Sequence, residues 1–161
     1  MRTYPFAITE RPSVPAHTPH VLAAYSRRTA LPSFLTRALT AGANWSHCAA
    51  YDWERELFIE AQMFKGVIET PVDKWIKHYP SFEVIRVACP RPLEALQFWR
   101  EQVGKGYDYF GAISVLGRAN WQDDHRWYCS EHLEAGVAKG GNPRFFQDKH
   151  GISPHESWNA L

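Results

Sequence analysis

The sequence predicts one globular domain that mixes strands and helices. Three observations carry this. The stretch from Trp45 to Cys89 holds short β-like runs separated by turn-forming residues. Leu93, Leu96, Trp99 and Val103 recur at helical spacing, and a second helical run leads from Cys129 or Ser130 to Gly140-Gly141. The length of 161 residues suits a single domain. A chain of that size buries about 68–70% of the surface its unfolded form exposes, so its core needs no disulfide or metal.

Taken in order, residues 1–20 carry prolines at 5, 12, 15 and 19 and read as an extended opening segment with loops. Tyr4 to Ile8 is a candidate edge strand. Residues 20–40 read as helical pieces broken near Pro32, the second placing Phe34, Ala38 and Leu39 on one face. Trp45 to Tyr51 is a strand, Asp52 to Glu56 a turn, and Leu57 to Val67 a longer strand bent at Gly66, together a β-hairpin. Pro71 to His78 is a short helix with Trp75 and Ile76 turned inward. Phe82 to Cys89 is a third strand, with Ile85 and Val87 on one face and Val84 on the other. Pro90-Arg91-Pro92 opens a helix that Gly104 and Gly106 end. Residues 107–128 are aromatic and lack a clear period, and Asp123-Asp124-His125 within them reads as a solvated loop. Ser153-Pro154-His155-Glu156 reads as a helix cap, followed by a short terminal helix.

Composition narrows the function classes. Lys+Arg is 18 and Asp+Glu 17, a formal net charge of +1 without a dense basic stripe. Electrostatic capture of nucleic acid is therefore not expected. Seven Trp, seven Tyr and nine Phe fit a Trp-rich core or an aromatic-lined cleft. Cys48, Cys89 and Cys129 form no disulfide framework by count or spacing, and reduced thiols in a cytoplasm-like compartment are expected. The start, Met1-Arg2-Thr3-Tyr4-Pro5, has no hydrophobic signal region, and no apolar run approaches membrane-spanning length. A soluble protein without an integral membrane segment is expected.

The chemistry centres on Trp127-Tyr128-Cys129-Ser130-Glu131. A cysteine in the first turn of a helix sits where backbone N–H groups and the helix dipole favour negative charge. That environment lowers a thiol pKa, and the same N–H groups can hold an oxyanion. Ser130 or Cys129 is the candidate cap, with acidic Glu131 and Glu134 following. The competing reading of Cys129 is a small buried hydrophobe. A thiolate nucleophile needs a base, most often histidine. His47, in Asn44-Trp45-Ser46-His47-Cys48-Ala49-Ala50-Tyr51, lies in a stiff strand beside small residues; the competing reading is a satisfied core or surface histidine.

A third polar group usually orients the base. Glu60 follows His47 by 13 residues, and if the two strands pair with odd residue sums both share one sheet face. A carboxylate in an apolar strand is costly unless paired, and an imidazole would satisfy it. A one-residue slip would turn Glu60 to the other face. Gln62 shares the Glu60 face and is the fallback orienter.

The series Ser46 to Tyr51, Phe58-Ile59-Glu60-Ala61 with Gly66-Val67, Tyr107-Asp108-Tyr109-Phe110-Gly111, Tyr128 to Glu131, and Gly151-Ile152-Ser153-Pro154 resembles the permuted branch of the NlpC-type papain-like cysteine peptidases and amidases. There the histidine strand comes first and the cysteine helix last. The resemblance runs from about residue 44 to the C-terminus. It implies an α+β, circularly permuted papain-like domain, with a central antiparallel sheet packed against the nucleophile helix. Residues 44–161 would be the catalytic domain and residues 1–43 an extension packed on it. The resemblance carries over Cys129 as nucleophile, His47 as base and Glu60 as third residue, with Tyr107 or Tyr109 assisting the oxyanion. Many relatives have histidine in the third position, with glutamate a known alternative.

The expected activity is hydrolysis of an amide bond through a thioester, with a peptide or acyl-containing small substrate and no cofactor or metal. Three other classes fit parts of the sequence. A lipid-type acyltransferase or thioesterase would use the same Cys–His pair, although no long apolar segment supports it. A zinc site could be assembled from Cys129-x-x-His132 with His47 or Cys48, but no second paired motif exists. A non-catalytic binding module would keep the fold without needing the thiol.

Overall fold

The structure is a computed structural model that describes residues 3–10, 14, 17–27, 44–108, 126–145 and 152–160. Among these residues it is an α+β protein with a six-stranded, mostly antiparallel sheet and four helices. The strands are β1 (Ile8–Thr9), β2 (His20–Arg27), β3 (His47–Asp52), β4 (Leu57–Gln62), β5 (Gly66–Pro71) and β6 (Ser81–Ala88). Their order is β1-β6-β2-β3-β4-β5, and only the edge strand β1 runs parallel to its neighbour. Two-residue strands β7 (Gly106–Tyr107) and β8 (Arg126–Trp127) form a separate parallel pair. The helices are α1 (Val72–His78), α2 (Pro92–Glu101), α3 (Cys129–Lys139) and α4 (Pro154–Asn159).

The sheet is covered on both faces, and the period-2 alternation of its strands sorts residues between two cores. Ala23, Tyr25, Cys48, Ala50, Ile59, Ala61, Ile85 and Val87 face α2 and α3, where they meet Leu96, Trp99, Leu133 and Val137. Leu22, Ala24, Ala49, Tyr51, Phe58 and Val84 face α1 and the N-terminal segment, where Trp75, Tyr79, Tyr4 and Phe6 cover them. The expected division of Ile85 and Val87 from Val84 is present.

Several sequence expectations are corrected. His20–Arg27 is an interior strand between β3 and β6, not a helix. Both of its faces are buried, so Val-Leu-Ala-Ala shows no alternation, and a short apolar run of this kind reads equally as helix. The second expected helix, after Ser33, lies outside the described residues. Leu57 to Val67 is not one bent strand. It is β4, a turn at residues 63–65 and the start of β5, with Phe64 at φ 71° and Gly66 at φ 76°. On α2 the inward face is Ala95, Leu96 and Trp99, while Leu93 is exposed and Val103, also exposed, lies in the turn beyond the helix end at Glu101. The N-cap of α3 is Tyr128, ahead of both expected caps, Cys129 and Ser130, and its side chain makes no capping bond. Ile76 is only half-buried, whereas Trp75 is fully buried as expected. The Ser153 capping box of α4 is present, with Glu156 and Ser153 exchanging both bonds.

Two tight approaches set the position of the helices and turns around the site. The Gly66 amide side packs against the α2–β7 connection, where the Val67 N–H donates to the Lys105 carbonyl at 2.8 Å. A Cβ at Gly66 would lie 2.1 Å from that carbonyl oxygen, and the positive φ alone favours glycine. At Gly136, on α3, a Cβ would lie 1.9 Å from Nε1 of Trp99, which donates to the His132 carbonyl at 3.0 Å. On the opposite side, Arg100 of α2 grips the buried Asp52 carboxylate with two 2.7 Å bonds, tying α2 to the β3–β4 turn. A two-bond guanidinium–carboxylate fork fixes orientation as well as distance.

Gly136→Ala is expected to destabilise the protein by about 1–3 kcal/mol through overpacking against Trp99. Urea unfolding of both proteins measures it; an unchanged midpoint would mean that α2 and α3 can separate at no cost.

Candidate active site

Cys129 is the first residue of α3 and is buried, in the same core as Cys48. His47 is the first residue of β3, and Glu60 lies near the end of β4. The β3–β4 register pairs Ala50 with Ile59, Tyr51 with Phe58 and Asp52 with Leu57, an odd-sum pairing that places His47 and Glu60 on one face. This ladder covers only the turn end of the hairpin. His47, Cys48 and Ala49 lie beyond it, and the start of α3 packs at that open end.

Glu60 is fully buried, and both its oxygens are saturated. Oε2 accepts from His47 Nε2 at 2.6 Å, Trp75 Nε1 at 3.2 Å and the Tyr79 hydroxyl at 3.2 Å. Oε1 accepts from Thr70 Oγ1 at 2.6 Å and Gln62 Nε2 at 2.8 Å. Burial opposes the carboxylate charge, but the His47 contact and these donors outweigh it and hold the Glu60 pKa below its ordinary value. Gln62, the fallback orienter, thus serves Glu60. Tyr79 also stacks its ring on His47, with centroids 5.0 Å apart and planes 14° apart.

His47 holds the two ends together. Its Nε2 is engaged by Glu60, and the ring also adjoins Cys129, toward which Nδ1 is the nitrogen left available. Burial alone would discharge the imidazole; its bonds to Cys129 and Glu60 override this and raise its pKa. Cys129 shows the complementary shift. Burial works against the thiolate, yet the neighbouring Cys48 thiol, the His47 ring and the Cys48 backbone outweigh it and hold its pKa well below the ordinary thiol value. The Tyr128 side chain adjoins the same thiol, and with burial this raises the Tyr128 pKa. Both directions favour the charged forms of the pair, thiolate and imidazolium.

The structure therefore brings together Cys129, His47 and Glu60. Tyr107 is buried on β7 with its ring edge-on to Tyr128 at 6.1 Å, while Tyr109 lies outside the described residues, as does Asp123-Asp124-His125. Sequence reasoning missed Thr70, Trp75 and Tyr79 as partners of Glu60, and Cys48 and Tyr128 as partners of Cys129. A signal existed for two of them: Trp75 and Tyr79 are four residues apart, hence on one helix face, and a buried carboxylate requires donors. His132 packs its ring against Trp127, and among the described residues no three His, Cys, Asp or Glu side chains are grouped to hold a metal ion.

In comparisons with known proteins, no family model and no curated protein matches the chain.

Glu60→Ala is expected to destabilise the fold by roughly 3 kcal/mol or more, because it leaves several buried donors without an acceptor. The pH dependence has a definite sign. With its folded pKa lowered from 4.5, Glu60 contributes stability above that value, which is lost as pH falls through the lower folded pKa. Urea midpoints measured against pH should therefore fall less steeply on the acid side in Glu60→Gln than in the native protein. Parallel acid limbs would show that the carboxylate does not carry this term.

Proposed function

We propose that the chain is a cysteine hydrolase that cleaves an amide bond, of peptide or isopeptide type, through a thioester on a permuted NlpC-type papain-like scaffold. The observation that carries this reading is the single imidazole of His47, bonded at Nε2 to a saturated buried carboxylate and set beside the thiol at a helix start. In this reading the Cys129 thiolate attacks the substrate carbonyl. The oxyanion forms beside the first-turn N–H groups of α3, where no N-cap side chain competes, with Tyr107 or Tyr128 as an additional donor. His47 then delivers its proton from Nδ1 to the leaving amine. The freed imidazole activates water, which hydrolyses the thioester and restores the thiol. Glu60 keeps the ring oriented and stabilises its cationic form throughout.

The motif order supports the permuted scaffold: the histidine strand precedes the cysteine helix, and the two meet at the open end of the β3–β4 hairpin. The same pair would serve ester cleavage, so the amide is chosen on the resemblance.

Iodoacetamide labelling followed by peptide mapping tests the reading. Cys129 should label at a nearly constant rate from about pH 6 to about pH 8, whereas ordinary thiols accelerate with pH across that range. Cys89 is the internal control, since burial raises its pKa to about 11. His47→Ala should return Cys129 to a steep pH profile and slow its labelling near pH 6 by roughly tenfold or more. A steep profile in the native protein would refute the activated thiolate.

A further inference from the structure

Cys48 exchanges no proton or acyl group in the proposed hydrolytic cycle, yet it lies beside the nucleophile on β3, which packs against α3. It is fully buried on β3, next in sequence to His47, and faces α3 rather than α1. It shares one buried core with Cys129, and its side chain and backbone adjoin that thiol closely enough to lower its pKa. A buried apolar residue would fill this position without presenting a second sulfur to the first. The third cysteine, Cys89, is elsewhere, with its thiol donating to the Gly140 carbonyl at 3.6 Å. All three are free thiols.

We propose that Cys48 is a resolving thiol, and that a hydroperoxide converts the Cys48–Cys129 pair into a disulfide that reversibly shuts off and protects the nucleophile. The inference rests on the activated Cys129 of the proposed hydrolase. In the first step the Cys129 thiolate attacks the terminal peroxide oxygen. The S–O bond forms, the O–O bond breaks, and the departing hydroxide takes the His47 proton as water. In the second step the Cys48 sulfur attacks the sulfenic sulfur of Cys129. The S–S bond forms, the S–O bond breaks, and hydroxide leaves with the Cys48 proton as a second water. The two thiols lose two electrons in all, and the hydrogen peroxide that accepts them ends as two waters. The Cys48 thiol is kept protonated by burial and by the adjacent Cys129 sulfur. The first step removes the charge on that neighbour, which favours the second. Without a resolving thiol a sulfenic acid proceeds to the sulfinic acid, which simple thiols do not reverse.

The test treats the full native chain with hydrogen peroxide, then maps peptides without reductant. The expected product is a Cys48–Cys129 cross-linked peptide that dithiothreitol removes, restoring iodoacetamide labelling of Cys129. In Cys48→Ser, and in Cys48→Ala as a second variant checked for folding by circular dichroism, Cys129 should instead accumulate roughly tenfold more sulfinic acid. Sulfinic acid formation in the native chain equal to that in the variants, with no cross-link, overturns the proposal. Labelling of the unoxidised protein separates the two readings. Rapid, pH-independent labelling of Cys129 without a cross-link overturns the switch alone. Slow labelling together with no cross-link overturns the switch and the hydrolase.

Discussion

A carboxylate inside an apolar strand is tolerated only if its charge is fully answered, and Glu60 organises much of the molecule to meet that condition. Its donors come from β3, β4, β5, α1 and the residue that ends α1. One side chain thus ties together the strands on either side of it and the helix above them. Removing water from such a group costs several kcal/mol, which these bonds offset only when all their elements are in place. The same saturation leaves the carboxylate no freedom to turn, and His47 inherits that rigidity through a 2.6 Å bond and the stacked ring of Tyr79.

The second constraint is the open end of the β3–β4 hairpin. Glu60, Trp75 and Tyr79 belong with the α1 face of the sheet, whereas Cys129 belongs with the α3 face. Continuous pairing of the two strands would separate these groups by a layer of backbone. Because the ladder stops at Ala50 and Ile59, His47 reaches a carboxylate associated with one face and a sulfur associated with the other. The start of α3 is held at this point from several directions. Ser130 Oγ donates to the Ile152 carbonyl, Trp99 to the His132 carbonyl, and buried Glu134 pairs with Arg144. Ser157 of α4 links this last pair to Tyr25 of β2, so the terminal helix and the central strand also steady α3.

Much of this was legible from local pattern. The turns, the short helix after β5, the capping box at Ser153 and the helix start near Cys129 each have a local cause in cap chemistry, periodicity or proline placement. β2 was not legible, because a strand covered on both faces loses its alternation and its Leu-Ala-Ala content suits a helix equally well. The β4–β5 turn was hidden because Phe64 adopts a positive φ that its side chain does not advertise.

For the site, the sequence alone determined the residue types, their order along the chain and the condition under which His47 and Glu60 would share a face. Those follow from short-range rules: helix dipoles, strand alternation and the cost of an unpaired carboxylate. Only the tertiary structure decided the register, the end of the β3–β4 ladder and the identities of Thr70, Trp75, Tyr79, Cys48 and Tyr128 as partners. These depend on how separate elements pack, and a contact between residues 48 and 129 leaves no periodicity in the chain that connects them.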